Sequence, residues 1–231
     1  DSSLYANHGT LTNMDAATDW VWSPELGRWG LDYAGTAAAS QYTSFPMTGT
    51  HSALTIAAIA NIRAVTGFYD GIVFSRSDSV TGLNVISASA IGYHWNDRYY
   101  GFAGPKPVIG GYALYAVSVA PDKASLYVNN TSAINVASHG PTSPALFRIA
   151  DDANNEGTEG RYLDGTVYDV MVWSRALSPS EISALADPSN VDLRVGGVPL
   201  ILPPRRRFWP VVSETAIPKM VPWHLFQQVS A

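Results

Sequence analysis

Glycoside hydrolysis with retention needs two carboxylates about 5–5.5 Å apart. On a β-strand that means acidic residues on one face, two or four positions apart. The nearest approach in this chain is Asp164 with Asp169, whose odd spacing sets them on opposite faces, and no Glu-x-Asp-x-x-Glu run occurs. No enzyme of that kind is expected. The histidines are His8, His51, His94, His139 and His224, and no two stand at the spacing that places a pair on one metal. His94 lies beside Trp95 in an extended stretch and reads as a histidine hydrogen-bonded within a sheet. The chain has no cysteine, which excludes disulfides, thiolate metal sites and a cysteine nucleophile. Neither a nucleophile elbow nor a phosphate-cradling glycine loop is present.

Four groups of residues have types suited to binding or contact. Asp151, Asp152, Asn154 and Glu156 form an oxygen-rich stretch, and calcium takes six to eight oxygens. That stretch lacks EF-hand spacing and equally suits a solvated turn between strands. Sugar binding wants aromatic platforms with polar groups beside them. Trp95, Asp97, Tyr99 and Tyr100 supply both, with Tyr99 and Tyr100 expected in a loop. Alternation sends Tyr93 and Trp95 to one face, which also fits a core role. Trp20, Trp22 and Trp29 form a further aromatic group that covers the core or lines a contact. Finally, Arg205, Arg206, Arg207, Phe208 and Trp209 join cationic forks to rings, a combination suited to docking on an acidic neighbouring subunit.

These residues must be carried by strands. Of 231 residues 46% are apolar and only 14% charged, with 12 Tyr, 7 Trp and 19 Gly. Such a composition favours sheets and turns. The net charge of −5 gives no general attraction to nucleic acid. No run approaches the ~18 apolar residues of a membrane helix, so no membrane insertion is expected. Strands are expected at 10–12, 52–62, 71–76, 82–95, 112–120, 124–128, 132–136, 145–150 and 162–173, with the first fifty residues otherwise rich in turns. One short helix is expected from Pro179, because Ser178-Pro179-Ser180-Glu181 combines an N-cap serine, a first-turn proline and a capping glutamate. Residues 1–187 therefore read as one all-β domain, a two-sheet antiparallel β-sandwich or jelly roll. Residues 188–231 hold nearly half of the 15 prolines and several apolar clusters. They read as an extended tail that docks on the domain or on a partner.

The sequence also resembles the laminin-G-like, concanavalin A-like jelly-roll domains of bacteria and phages. Asn7-His8-Gly9-Thr10-Leu11, Leu31-Asp32-Tyr33-Ala34-Gly35-Thr36, Gly92-Tyr93-His94-Trp95-Asn96-Asp97 and Leu126-Tyr127-Val128-Asn129 carry the likeness. The most specific stretch runs from Leu163-Asp164-Gly165-Thr166 through Trp173-Ser174-Arg175-Ala176-Leu177-Ser178 to Glu181-Ile182. The resemblance implies two facing antiparallel sheets. It also implies a strand ahead of the Asn7 motif, for which six residues leave no room, so an open sheet edge is expected. Ala34 and Tyr168 stand where the family has carboxylates, which weakens a carried-over calcium site.

The fold by itself implies no single function. One reading is a non-catalytic structural subunit of an extracellular, cell-surface or virion assembly, joined to copies of itself or neighbouring proteins by its tail and by strand exchange. The other is a carbohydrate-binding module for cell-surface glycans, with or without calcium. The apolar, proline-rich tail tilts the balance toward assembly.

Overall fold

A computed structural model describes residues 9–15, 17–36, 38–65, 67–152 and 161–186, together with the backbone of 226–229. It is the expected two-sheet sandwich. Sheet I runs in the order β1 (Thr10–Thr12), β4 (Tyr42–Pro46), β13 (Leu146–Ile149), β6 (Asp70–Ser75), β7 (Thr81–Ser87), β8 (Ala90–Trp95) and β9 (Arg98–Gly101). Sheet II runs β12 (Thr131–Asn135), β11 (Lys123–Val128), β10 (Tyr112–Ala120), β5 (Leu54–Ala64), β14 (Asp164–Trp173), β3 (Arg28–Ala34) and β2 (Trp20–Ser23). All pairings along these two paths are antiparallel. A further strand, β15 (Phe226–Val229), lies parallel to the second half of β14, in register with Val170–Trp173.

The main core lies between the sheets and includes Leu31, Phe45, Ile56, Leu83, Tyr93, Trp95, Tyr115, Phe147 and Val170. A second buried cluster occupies the outer face of sheet II: Ala57, Ile59, Leu114, Ala116, Tyr168, Met171 and Trp173, capped by Leu177, Ile182 and Leu185. This explains why residues 54–60 are buried on both faces and read as a nearly continuous apolar run. The cap is the end of helix α1 (Pro179–Ala186) and the segment leading into it. Ser178 and Glu181 form the expected capping box: the Ser178 amide donates to the Glu181 carboxylate at 2.8 Å, and the Glu181 amide donates to the Ser178 hydroxyl at 3.4 Å. The Arg175 fork binds the same carboxylate and holds its pKa down at about 2.

Three expectations need correction. The first fifty residues contain β2, β3 and β4, which the abundance of turn residues hides. The expected strand 82–95 is a hairpin, broken at Ala88-Ser89, where the Ser87 hydroxyl accepts from the Ser89 amide at 3.3 Å. A second tight hairpin follows at Asn96-Asp97, both with positive φ (46° and 67°). Asn and Asp tolerate that conformation, and it matches the twist of paired strands. β9, missed as a loop, is the product of that turn.

β14 and β5 lie close together at Gly165, beside a shift in register. A Cβ there would run into the Asn61 carbonyl oxygen, which is backbone and cannot move aside. Gly165→Ala is expected to cost about 2–3 kcal/mol, read as a lower urea midpoint with an unchanged slope.

Candidate functional site

Helix α1 is too short to cover the whole outer face of sheet II. Where it stops, at Ala186, the face turns polar and a cleft of about 640 Å³ opens. Asn61 on β5, Tyr112 on β10, Tyr168 on β14, Asn129 and Asn130 in the β11–β12 turn, Ser23 at the end of β2 and Glu25 just after it line it. Gly110 and Gly111 form its rim, and Gly110 fits there because its φ is +76° while its amide donates to the Ile62 carbonyl at 2.8 Å.

The lining groups are partly committed and partly open. Asn129 Oδ1 accepts from the Leu114 amide at 2.9 Å, which fixes the side chain and leaves its NH₂ for a ligand. Tyr112 hydrogen-bonds the Glu25 carboxylate, which raises its pKa. Burial raises the pKa of Tyr168, whose hydroxyl engages Thr166 and Ser23. Asn61 Oδ1 is buried with no hydrogen-bond partner. Such an orphan acceptor is costly unless a water or a ligand supplies a donor.

Beside the cleft, Arg63 bridges three groups. Its guanidinium donates to Asp164 at 2.8 Å, to Asp32 at 2.8 Å and to the Tyr33 carbonyl at 3.0 Å. Thr166 adds a hydroxyl to Asp32 at 2.8 Å. Asp169 pairs with Arg28. The expectation that Asp164 and Asp169 point to opposite faces fails, because β14 bulges between Val167 and Asp169. The extra residue resets the alternation, and both carboxylates reach the outer face. Each is there the partner of an arginine.

The residues singled out in the sequence do not converge. Trp95 is 1% exposed in the core, with its indole N–H on the Gly140 carbonyl, and offers no ring face to a sugar. Tyr99 and Tyr100 lie in β9, not in a loop, and so face opposite ways. Tyr100 turns inward and stacks on Tyr93 at 4.9 Å, while Tyr99 points outward and is 45% exposed. Asp97 sits in the hairpin turn, where its carboxylate accepts from the Val80 amide at 2.8 Å. Asp151 and Asp152 are buried against arginines: Arg148 holds the first at 2.7 Å, and Arg76 and Arg161 hold the second at 3.0 and 3.1 Å. Among the described residues no group of three or more His, Asp or Glu side chains is arranged to hold a metal. Asn154 and Glu156 lie outside the described residues, as do Arg205, Arg206, Arg207, Phe208 and Trp209. Sequence reasoning missed the cleft residues, because what joins Asn61, Tyr112, Asn129 and Tyr168 is one face of the packed sheet and no local pattern.

A family model described as "Concanavalin A-like lectin/glucanases superfamily" (Laminin_G_3) matches residues 34–183. The chain belongs to that superfamily. Among solved structures, the heptameric SAP-like pentraxin of Limulus polyphemus superposes with a TM-score of 0.53 at 14% identity, covering 71% of this chain and 84% of the pentraxin chain. Trypanosoma rangeli sialidase, in a complex with 2,3-difluorosialic acid, superposes with a TM-score of 0.52 at 14% identity, covering 76% of this chain but 29% of the sialidase chain. At that identity the likeness concerns the sandwich alone. No curated protein matches the chain. No helix among the described residues is long and apolar enough to cross a membrane.

In this superfamily member His94 departs from the expected role. Its Nδ1 is buried with no partner, and the ring packs against Phe74 at 5.1 Å and Tyr99 at 5.5 Å. Burial, with Arg76 nearby, lowers its pKa to about 4. The folded protein thus refuses a proton that the unfolded chain takes up below about 6.5. Both states are neutral at higher pH, so stability falls as pH drops from about 6.5 to about 4 and levels off below. The effect is up to about 3 kcal/mol. His94→Gln is expected to flatten that part of the profile relative to the wild type, measured by urea unfolding at successive pH values.

Proposed function

We propose that this chain is a non-catalytic glycan-binding module acting outside the cell or on a virion surface. The observation that carries the reading is the polar cleft on the outer face of sheet II, with its orphan Asn61 acceptor, the tethered Asn129 and the rings of Tyr112 and Tyr168. Side-chain amides paired with aromatic rings suit sugars, whose hydroxyls both donate and accept and whose C–H faces stack on rings. Glu25, Asp32 and Asp164 outweigh Arg63 in charge there, which favours neutral over acidic sugars.

A second reading, structural assembly with copies of itself or neighbouring proteins, draws on two other observations. β15, from the tail, lies against β14 beyond the point where β3 leaves it. Edge strand β2 and its partner β3 present Trp22 and Trp29, 47% and 41% exposed, in an edge-on pair 5.6 Å apart. Exposed tryptophans at an edge that pairs with no further strand among the described residues suit a protein contact.

The readings separate experimentally. On an immobilised glycan panel, Asn61→Ala combined with Tyr112→Ala should weaken the strongest neutral-glycan signal at least tenfold, about 1.4 kcal/mol. An unchanged signal would remove the cleft from the function. Deleting residues 188–231 should leave glycan binding intact. If the tail builds an assembly, the same deletion should convert a multimeric native mass, read by light scattering, to that of a monomer.

A further inference from the structure

Strand pairing along both sheet paths is antiparallel, and β15 is the exception. It lies parallel to β14, with Phe226 opposite Val170 and Val229 opposite Trp173. A tight hairpin cannot make a parallel pair; the added strand arrives by a long crossover or from another chain. β14 is the only strand that β15 pairs with among the described residues.

The place it fills is built into the sheet. On one side of β14, β5 pairs from Asp164 to Trp173. On the other side β3 pairs only from Asp164 to Val167. Past the bulge, the backbone groups of Val170–Trp173 that point away from β5 therefore meet no strand but β15 among the described residues. These four residues do not form a surface strand. Val170 and Val172 belong to the main core, Met171 and Trp173 to the cluster under α1, and none is more than 4% exposed. Unpaired amides and carbonyls are costly in such a setting, so the slot needs a strand.

The connection to β15 is out of proportion to the distance it must cover within one molecule. Helix α1 ends at Ala186, which lines the cleft together with Tyr168. β15 begins opposite Val170, two residues further along the same strand. Residues 187–225 join these points, 39 residues where a crossover between parallel strands needs only about a dozen. Seven of them are proline, which has no amide donor and stiffens a chain. Fully extended, 39 residues reach up to ~130 Å, enough to arrive at a neighbouring molecule. A connection much longer than its span also dilutes the strand at its own slot.

We propose that the slot beside Val170–Trp173 is a strand-acceptor site, filled in the assembled protein by residues 226–229 of a second copy. The proposal rests on the assembly reading above and names its contact. The main-chain hydrogen bonds are the same whichever copy supplies the strand, so exchange loses none of them. Each copy donates one strand and accepts one, and residues 187–225 then lace one domain to the next.

The chain has no cysteine, so introduced thiols report the pairing directly. Val172 and Gln228 stand opposite each other, and neighbouring strands lie within disulfide reach. Full-length Val172→Cys and Gln228→Cys chains, produced together and oxidised, are expected to give a covalent dimer containing one of each. It should appear at twice the chain mass on a non-reducing gel, well above what either variant forms alone. The proposal is overturned if the double variant closes its disulfide only within one chain, or forms none. Native mass supplies a second measurement that needs no cysteine. The full chain should be a multimer, and deleting residues 226–231 should reduce it to a single chain. A multimer that survives this deletion but dissociates on removal of residues 188–231 overturns the exchange and keeps the assembly reading. A full-length chain that is monomeric overturns both.

Discussion

Leu177, Ile182 and Leu185 seat on the outer face of sheet II, and the rest of that face is organised around where they end. A β-sandwich can leave its outer faces to water, in which case each strand alternates apolar and polar. Here β5, β10 and β14 cannot alternate along their covered halves, because both faces there are dry. Small residues, Ala58 and Ala60 toward the facing sheet and Ala57 toward the cap, all 0% exposed, let the layers on both sides of β5 approach closely. A helix of eight residues spans only ~12 Å, less than half the length of an eleven-residue strand. The uncovered remainder becomes the cleft, and the change from Ile59 to Asn61 along β5 marks the boundary.

β14 does two jobs on that boundary. Its first half pairs with β3 and β5, and its second half continues beside β5 after β3 has left. The bulge at Val167–Asp169 separates the halves. By inserting one residue it turns Tyr168 and Asp169 outward together, which gives the cleft a ring and gives Arg28 a carboxylate. Gly30 lies under that ring, where a Cβ would come within 2.6 Å of Tyr168. Ring, bulge and glycine are thus one local solution to bringing an aromatic side chain onto the sheet surface.

The architecture was legible in the sequence where residues carry local signals: the capping box at Ser178, the turn at Pro121-Asp122-Lys123, the β-branched stretch around Ile56. The strands β2, β3 and β4 were not, because their stability comes from distant partners and they are short stretches set among the glycines, prolines, aspartates and serines that make turns. The site was less legible still. Tyr99 was singled out for being aromatic near polar residues, and it does face solvent; Trp95 satisfied the same criterion and is core. Side-chain direction at the end of β8 and the start of β9 depends on the two-residue turn at Asn96-Asp97, and composition does not report it. Asn84 and Asn61 carry no sequence signal at all. Their interest lies in what they lack, a partner, and that is a property of the packed structure.

The distribution of charge narrows what either outer face can recognise. Arg28, Arg63, Arg76, Arg148, Arg161 and Arg175 each bind carboxylates, several of them buried. In a chain with only 14% charged residues these pairs absorb much of the available charge. A paired, buried guanidinium is a poor anchor for an acidic ligand, since breaking the pair leaves a carboxylate stranded. A paired carboxylate is likewise a poor metal ligand, because the cation must displace the guanidinium first. Amides, phenol hydroxyls and ring faces are what remain on the two surfaces, at Asn61, Asn129, Tyr112 and Tyr168 on one sheet and at Tyr69, Asn84, His94 and Tyr99 on the other. Groups of that kind discriminate by hydrogen-bond geometry and stacking, not by charge.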